Sequence, residues 1–457
     1  MNTELIELPP DWKWTTMGEI ADVVGGGTPK TNDPTNYESG TISWITPADL
    51  SGYTAKYIAH GARFITKKGL EESSAKMIPA GTVLFTSRAP IGYVAIASRP
   101  VCTNQGFKSF VLKEGVLPDY VYWWLKGSKD LAESMASGTT FLELSGAKAK
   151  QLPIPVAPLD QQKLIVAEIE KQFSRLDEAV ANLKHVKANL KRYKASVLKA
   201  AVEGRLVETE AGLARREGRS YETGAQLLQR ILETRRSQWQ GKGKYKEPAA
   251  PDTSDLAELP AGWVWATVDS VCEQIVDCPH STPRFQSEGI PCVDTTWMTS
   301  EGLAIERARY VDDATYQERI ARLEPKTGDI VFAREGTIGT AVLVPDRMKP
   351  CLGQRVMLLR ASTLFLNSLL RHTLHSEIVK SQYRAQSLGS TVAHINVGDV
   401  KLFRVPVPPI AEQHRIVTEV DRRLSLIREV DEQVDANVKR AEHLRQSILA
   451  KSFSCHD

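Results

Sequence analysis

The chain is written twice. GTTFLELSGAKAKQLPIPVAPLDQQKLIVAEI, beginning at Gly138, returns as GSTVAHINVGDVKLFRVPVPPIAEQHRIVTEV from Gly389, 251 positions on and without a gap. LPPDWKWTTMGEI (8–20) returns at the same offset as LPAGWVWATVDSV (259–271), so Leu8, Pro9, Trp12 and Trp14 recur as Leu259, Pro260, Trp263 and Trp265. AGTVLFTSRAPIG, from Ala80, returns with a small slip as TGDIVFAREGTIG, from Thr327. Ser196, Val197 and Leu198 face Ser447, Ile448 and Leu449. Solenoid repeats have periods of roughly 20–50 residues, so this one means two similar domains, each with the same helical appendage. The match is tight at the ends of each half and loose between Asn32 and Arg63 and between about Leu117 and Ser137. Framework is shared while loops diverge, the arrangement expected when loops hold specificity.

A length of 457 residues allows two to four domains, at roughly 100–200 residues each. With 42% hydrophobic and 25% charged residues, the chain is an ordinary globular protein and not a disordered one. No apolar run is long enough for a membrane span. The start, MNTELIELPPDWKW, lacks the basic and apolar regions of a secretory signal. Six cysteines are too few for a disulfide scaffold, so the cytoplasm is expected. A net charge of +3 neither demands nor excludes nucleic acid, because a local patch matters more than the sum.

Within each half, short apolar runs broken by Gly and Pro predict strands, as at Leu84, Phe85, Ile91, Val94, Ile96 and Val101, and again at 330–333 and 340–344. DYVYWWLKG, from Asp119, predicts a helix, with LFLNSLLRHTLHSEIV, from Leu364, as its counterpart. Next comes a proline strap (Pro153, Pro155 and Pro158; then Pro406, Pro408 and Pro409), which holds an extended segment and cannot continue a helix. A long helix follows to about Ala201, with Ile169, Leu176, Leu183, Leu190 and Val197 in a coiled-coil seam. The second helix offers Val420, Ile427, Val434, Leu444 and Ile448, and departs from the pattern at Asp431 and Asn437. Helices of ~40 residues are about 60 Å long and cannot bury such a stripe on a small domain. They most simply pack on each other, antiparallel, with the domains at opposite ends about a pseudo-two-fold axis.

The fold class expected is therefore mixed α/β or α+β. Two similar tandem domains, 1–152 and 259–403, are separated by straps and coiled-coil helices, 153–202 and 404–457. The joint, 203–258, is a basic linker with one short amphipathic helix. Ten Lys and Arg against six Glu between Arg205 and Glu247 give that joint a net +4.

Catalytic signatures are missing. GGGTPKT (25–31) lacks the spacing and the Gly-Lys-Ser/Thr ending of a phosphate loop. No helicase, nuclease or amino-methyltransferase motif occurs. Cys272, Cys278, His280 and Cys292 contain no paired-cysteine spacing, so no metal is expected. The Trp12/Trp14 and Trp263/Trp265 pairs could stack bases, but their place at the start of each half favours anchoring.

These residues resemble a family. LPIPVAPLDQQKLIVAEI, VPVPPIAEQHRIVTEV, LPPDWKW, LPAGWVW, GGGTPKTNDPTNYESGTISWITPADL, CPHSTPRFQSEGIPCVDT and QSILAKSF are similar to the specificity subunit of type I restriction-modification enzymes, over essentially the whole chain. The resemblance implies a non-catalytic subunit whose two target-recognition domains each read one half of a split double-stranded DNA target. It implies helices that set the spacer and dock two methyltransferase subunits, joined by restriction-translocase subunits. It also implies that S-adenosylmethionine, ATP and Mg are bound by those partners and not by this chain. One departure stands out: the tail stops at SFSCHD, while the first half continues with GRLVETEAG.

Candidate DNA contacts, taken from the divergent loops, are Thr28, Lys30, Thr46, Lys56, Arg63, Arg88, Lys108 and Thr140 in the first domain. In the second they are Arg284, Thr295, Arg307, Arg309, Arg334, Arg355 and Thr391. Arg88 and Arg334 stand out because each follows a strand and precedes a Gly-containing turn. A two-domain coiled-coil scaffold or adaptor that does not bind DNA would explain the duplication and the missing catalysis equally well.

Overall fold

The computed structural model describes residues 8–138, 142–241, 243–386 and 394–454. It is a mixed α and β protein that divides into two compact units, Met1–His185 with Val434–Asp457, and Val186–Gln433. Each unit contains one domain, part of its own long helix and part of the other.

In the first unit a five-stranded sheet runs Ala21–Gly25, Lys108–Leu112, Val83–Ser87, Ile91–Ala97, Tyr57–Ile58. A three-stranded sheet runs Arg63–Ile65, Ile42–Ile45, Cys102–Thr103. The second unit repeats the first four strands of the larger sheet, Cys272–Asp277, Val356–Ala361, Ile330–Ala333, Ala341–Leu343, and the whole order of the smaller, Tyr310–Val311, Ile290–Val293, Cys351–Leu352. A helix packs on the larger sheet in each unit, Pro118–Gly127 in the first and Asn367–Leu374 in the second. The apolar stretch from Leu364 thus forms two helices and not one, the second being Glu377–Gln386.

The straps are strands. Pro153–Val156 pairs antiparallel with Lys13–Thr16, placing Pro155 opposite Trp14. Arg404–Val407 pairs with Val264–Thr267, placing Pro406 opposite Trp265. Proline is tolerated because each ladder has only two strands, leaving an edge where no amide is needed. Trp12 donates to Gln161 Oε1 at 2.6 Å and Trp14 packs edge-on against Trp124, so the first pair anchors the fold.

A glutamine locks strap, helix and domain together in both units. Fully buried Gln162 accepts from Leu117 N (2.9 Å) and donates to the carbonyls of Ala157 (2.8 Å) and Gly115 (3.1 Å). Gln413 accepts from Leu366 N (3.0 Å) and donates to Pro408 O (3.0 Å). Leu117 and Leu366 precede the domain helices and have no side chain able to cap them. The glutamine satisfies a backbone N–H at each helix start that burial would otherwise orphan.

The long helices are Leu159–Val202 and Ile410–Ser452. In the first unit Arg445 pairs with Asp177 and lies 5.3 Å over the Phe173 ring, while Ile169 and Leu449 share one core. In the second unit Lys187 meets Asp431 at 3.6 Å, while Val197 and Val420 share another core. Within each unit the segments therefore run antiparallel. Ile169 and Val197 are fully buried, and Leu176, Leu183 and Leu190 half-buried, at strict seven-residue steps.

The second helix corrects one expected seam position. Leu444 is 45% exposed, while Ala441, at 7%, continues the sevenfold series Val420, Ile427, Val434 and Ile448. Hydrophobicity selects the leucine, but phase selects the alanine. Val186, Tyr193, Val430 and Leu444 are left exposed beside the seam.

The joint also departs from expectation by forming two helices, Glu210–Glu217 and Gly224–Ser237. Leu227 and Ile231 of the second are buried, as the amphipathic pattern suggested. The first has little apolar periodicity and is held by charge. Buried Glu210 pairs with Arg415 (2.7 Å) and Arg219 (2.6 Å), and its N–H donates to Glu412 (2.8 Å). Burial disfavours the Glu210 carboxylate, but hydrogen bonds from the two arginines outweigh it and hold the pKa below the usual range. No helix among the described residues is long and apolar enough to cross a membrane.

Candidate nucleic-acid interface

The Gly-rich loop of the first unit is a packed turn. A Cβ at Gly26 would come within 1.9 Å of Asn104 O, and one at Gly27 within 2.1 Å of Ala75 N, so only glycine fits. Trp44 donates to Gly27 O (2.9 Å) and Tyr37 to Pro29 O (2.7 Å), fixing the chain on either side of Thr28. Asn36 donates to Lys30 O (3.2 Å), while Thr66 donates through its N–H to Asn36 O and through its hydroxyl to Thr35 O, both 2.9 Å. The loop is thus stitched to the strand Arg63–Ile65. Thr28 is half-buried, whereas Lys30 and Arg63 are exposed.

Other candidates in this unit are engaged within the protein. Thr46 N and Oγ1 both donate to Asp49 at 2.7 Å, closing a short helical turn. Lys56 pairs with Asp119 and with Glu170 of the first long helix. Burial lowers its pKa, but those hydrogen bonds outweigh it and hold the ammonium above its usual range. Arg88 (3.4 Å) and Lys108 (3.7 Å) both reach Glu143, and Lys108 is only 14% exposed.

The second unit presents Arg284, Arg307 and Arg355 as exposed side chains, with Thr295 half-buried. Arg307 lies 3.8 Å from Glu306 and Arg355 lies 3.4 Å from Glu335. Arg309 donates to Asp294 (2.8 Å) and stacks 3.3 Å over Phe285, which fixes its guanidinium plane.

Arg334 overturns its expectation. It is buried, donating to Asp277 (2.7 Å) and to Ile395 O (3.1 Å). It occupies the place of the fully buried Ser87 and not that of Arg88, because the shared strand carries Phe85 and Phe332 two residues earlier in each case. Thr140 and Thr391 lie outside the described residues. Cys272, Cys278 and Cys292 are buried free thiols, while His280 is exposed and 3.4 Å from Asp277.

Spacing alone missed a second equivalence between the units. Arg63, Phe64 and Ile65, an outer strand of the three-stranded sheet, correspond to Arg309 and the outer strand Tyr310–Val311, and each run is followed by an N-capped helix. Their offset is 246, not 251, because the intervening loops differ in length.

A family model described as "Type I restriction modification DNA specificity domain" matches residues 9–192 and 304–436. The MjaIX specificity subunit of Methanocaldococcus jannaschii is 28% identical over 421 residues, covering 89% of this chain and 85% of that one. The EcoBI specificity subunit of Escherichia coli is 23% identical over 466 residues, covering 98% and 87%. Among solved structures, the HsdS subunit of Thermoanaerobacter tengcongensis aligns with a TM-score of 0.57 at 19% identity, covering 99% of both chains.

Proposed function

The chain belongs to the family of type I restriction-modification DNA specificity domains, and on that premise we propose that its two units read the two halves of one bipartite DNA target. The observation that carries this reading is the repetition itself. Two sheets whose shared strands keep the same order, the same strap ladder and the same glutamine lock support loops that differ between the units. A common frame with different loops suits two readers of different sequences. Its exposed or partly exposed cations, Lys30, Arg63, Arg88, Arg284, Arg307, Arg309 and Arg355, suit contact with a duplex.

The chain supplies the address, and the chemistry belongs to its partners. S-adenosylmethionine, ATP and Mg have their places on the modification and restriction subunits. Two modification subunits dock on the long helices. Apolar side chains left exposed there, Leu444 in the first unit and Val186, Tyr193 and Val430 in the second, support this. The scaffold reading without DNA gains no support from the family match.

The test is a genome-wide methylation map of a host carrying this chain with its modification subunits. The expected result is one split motif whose two halves differ, separated by a spacer of fixed length. A continuous motif, or two half-motifs methylated independently of each other, would contradict the proposal.

A further inference from the structure

We propose that Lys30 and Arg284 are repeat-related anchors that hold a DNA phosphate at each half-site without reading sequence. This rests on the DNA-reading function above and divides the labour within it.

Lys30 follows Thr28 and Pro29, and Arg284 follows Thr282 and Pro283. Both prolines are buried and both cations exposed. Each loop packs on the same outer strand. In the first unit Asn36 O accepts from Thr66 N just beyond Ile65, and in the second Gln286 N donates to Tyr310 O at 2.9 Å. That strand continues identically in both units. A cation (Arg63 or Arg309) is followed by an aromatic residue and then by fully buried Ile65 or Val311. Next comes an N-cap, where Thr66 accepts from Gly69 N (3.1 Å) and Asp312 from Thr315 N (2.8 Å). The two cations therefore occupy the same place in a shared frame.

Beyond that place the loops diverge in length and in most of their sequence, as TNDPTNYESG and FQSEG. Two domains reading different bases have only the sugar-phosphate backbone in common. A feature they share at an exposed loop therefore fits the backbone and not the bases. The change from Lys to Arg agrees, because a phosphate accepts either charge, whereas a bidentate base contact distinguishes them. Neither side chain makes an ion pair or hydrogen bond among the described residues; Arg284 lies near enough to Asp312 to help lower its pKa, but does not pair with it.

The experiment uses the chain assembled with its modification subunits. Binding to a duplex carrying the mapped target, and to an unrelated duplex, is measured across a range of KCl concentrations. Lys30→Gln and Arg284→Gln should each flatten the dependence of log K on log salt by about 0.9, and the double variant by about twice that. Both duplexes should weaken by the same factor, and the methylated sequence should not change. Lys67→Gln, an exposed neighbour of Glu71, is the control and should leave the slope as it was. A changed base preference at one half-site would make the residue a reader and overturn the proposal. An unchanged slope would equally overturn it. A wild-type complex that prefers no bipartite duplex would instead overturn the functional reading itself.

Discussion

Val420→Asp is expected to destabilise the second unit strongly, while Leu444→Asp, on the same helix, leaves stability almost unchanged. Val420 is fully buried in a core with Ile416, Val197, Leu198 and Phe403. A carboxylate in that apolar core must lose its hydration, at a cost of about 4 kcal/mol or more. For a unit of this size that corresponds to a fall of roughly 10 °C in melting temperature. Leu444 is 45% exposed, and a surface change of this kind alters stability by roughly 0.5 kcal/mol at most. Thermal unfolding of the purified chain separates the two variants. Leu444→Asp should instead weaken capture of a modification subunit, read by size-exclusion chromatography of the mixture. Equal destabilisation by both variants would mean that the seam is not in the phase described.

The glutamine lock gives the second large effect. Gln162→Leu keeps the volume but removes three hydrogen bonds, leaving Leu117 N and the carbonyls of Ala157 and Gly115 without that partner. An orphaned buried group costs about 1–3 kcal/mol, so the loss should reach about 3 kcal/mol. Gln413→Leu removes two such bonds and should cost about 2 kcal/mol. Gln162→Glu should cost at least as much as Gln162→Leu at neutral pH, because the buried carboxylate accepts from Leu117 N but loses its hydration and faces the carbonyls of Ala157 and Gly115. Urea unfolding would measure the order. If both leucine variants matched wild type, the lock would be incidental to the fold.

The duplication and the long helices were legible in the sequence because each rests on a period that survives divergence. An ungapped offset of 251 joins Gln162 to Gln413, and a step of seven runs from Ile169 to Val197. What was lost lay where a fixed period fails. Loops of unequal length shift Arg309 from Arg63 by 246 and Arg284 from Lys30 by 254, so no single offset aligns them. Arg334 was misread because a strand end beside a glycine turn looks exposed in sequence. Whether its side chain turns in depends on Asp277, which lies on another strand. The helix Glu210–Glu217 was missed because a buried ion cluster holds it, and no apolar stripe announces it. Lys56 looked like a loop cation, but its partners Asp119 and Glu170 are far away in sequence.

The central claim is that the two units read DNA independently, and domain exchange tests it most directly. The strands Lys13–Thr16 and Pro153–Val156 pair with each other, so the exchange should run from Met17 to Leu152 and leave that ladder intact. The matching segment of a relative with a different known target replaces it, and the complex assembled on the chimera is used to methylate a library of duplexes. The expected result is a new first half-site taken from the relative, with the second half-site and the spacer length unchanged. A chimera that assembles and methylates but has altered both half-sites, or has kept both, would contradict independent reading.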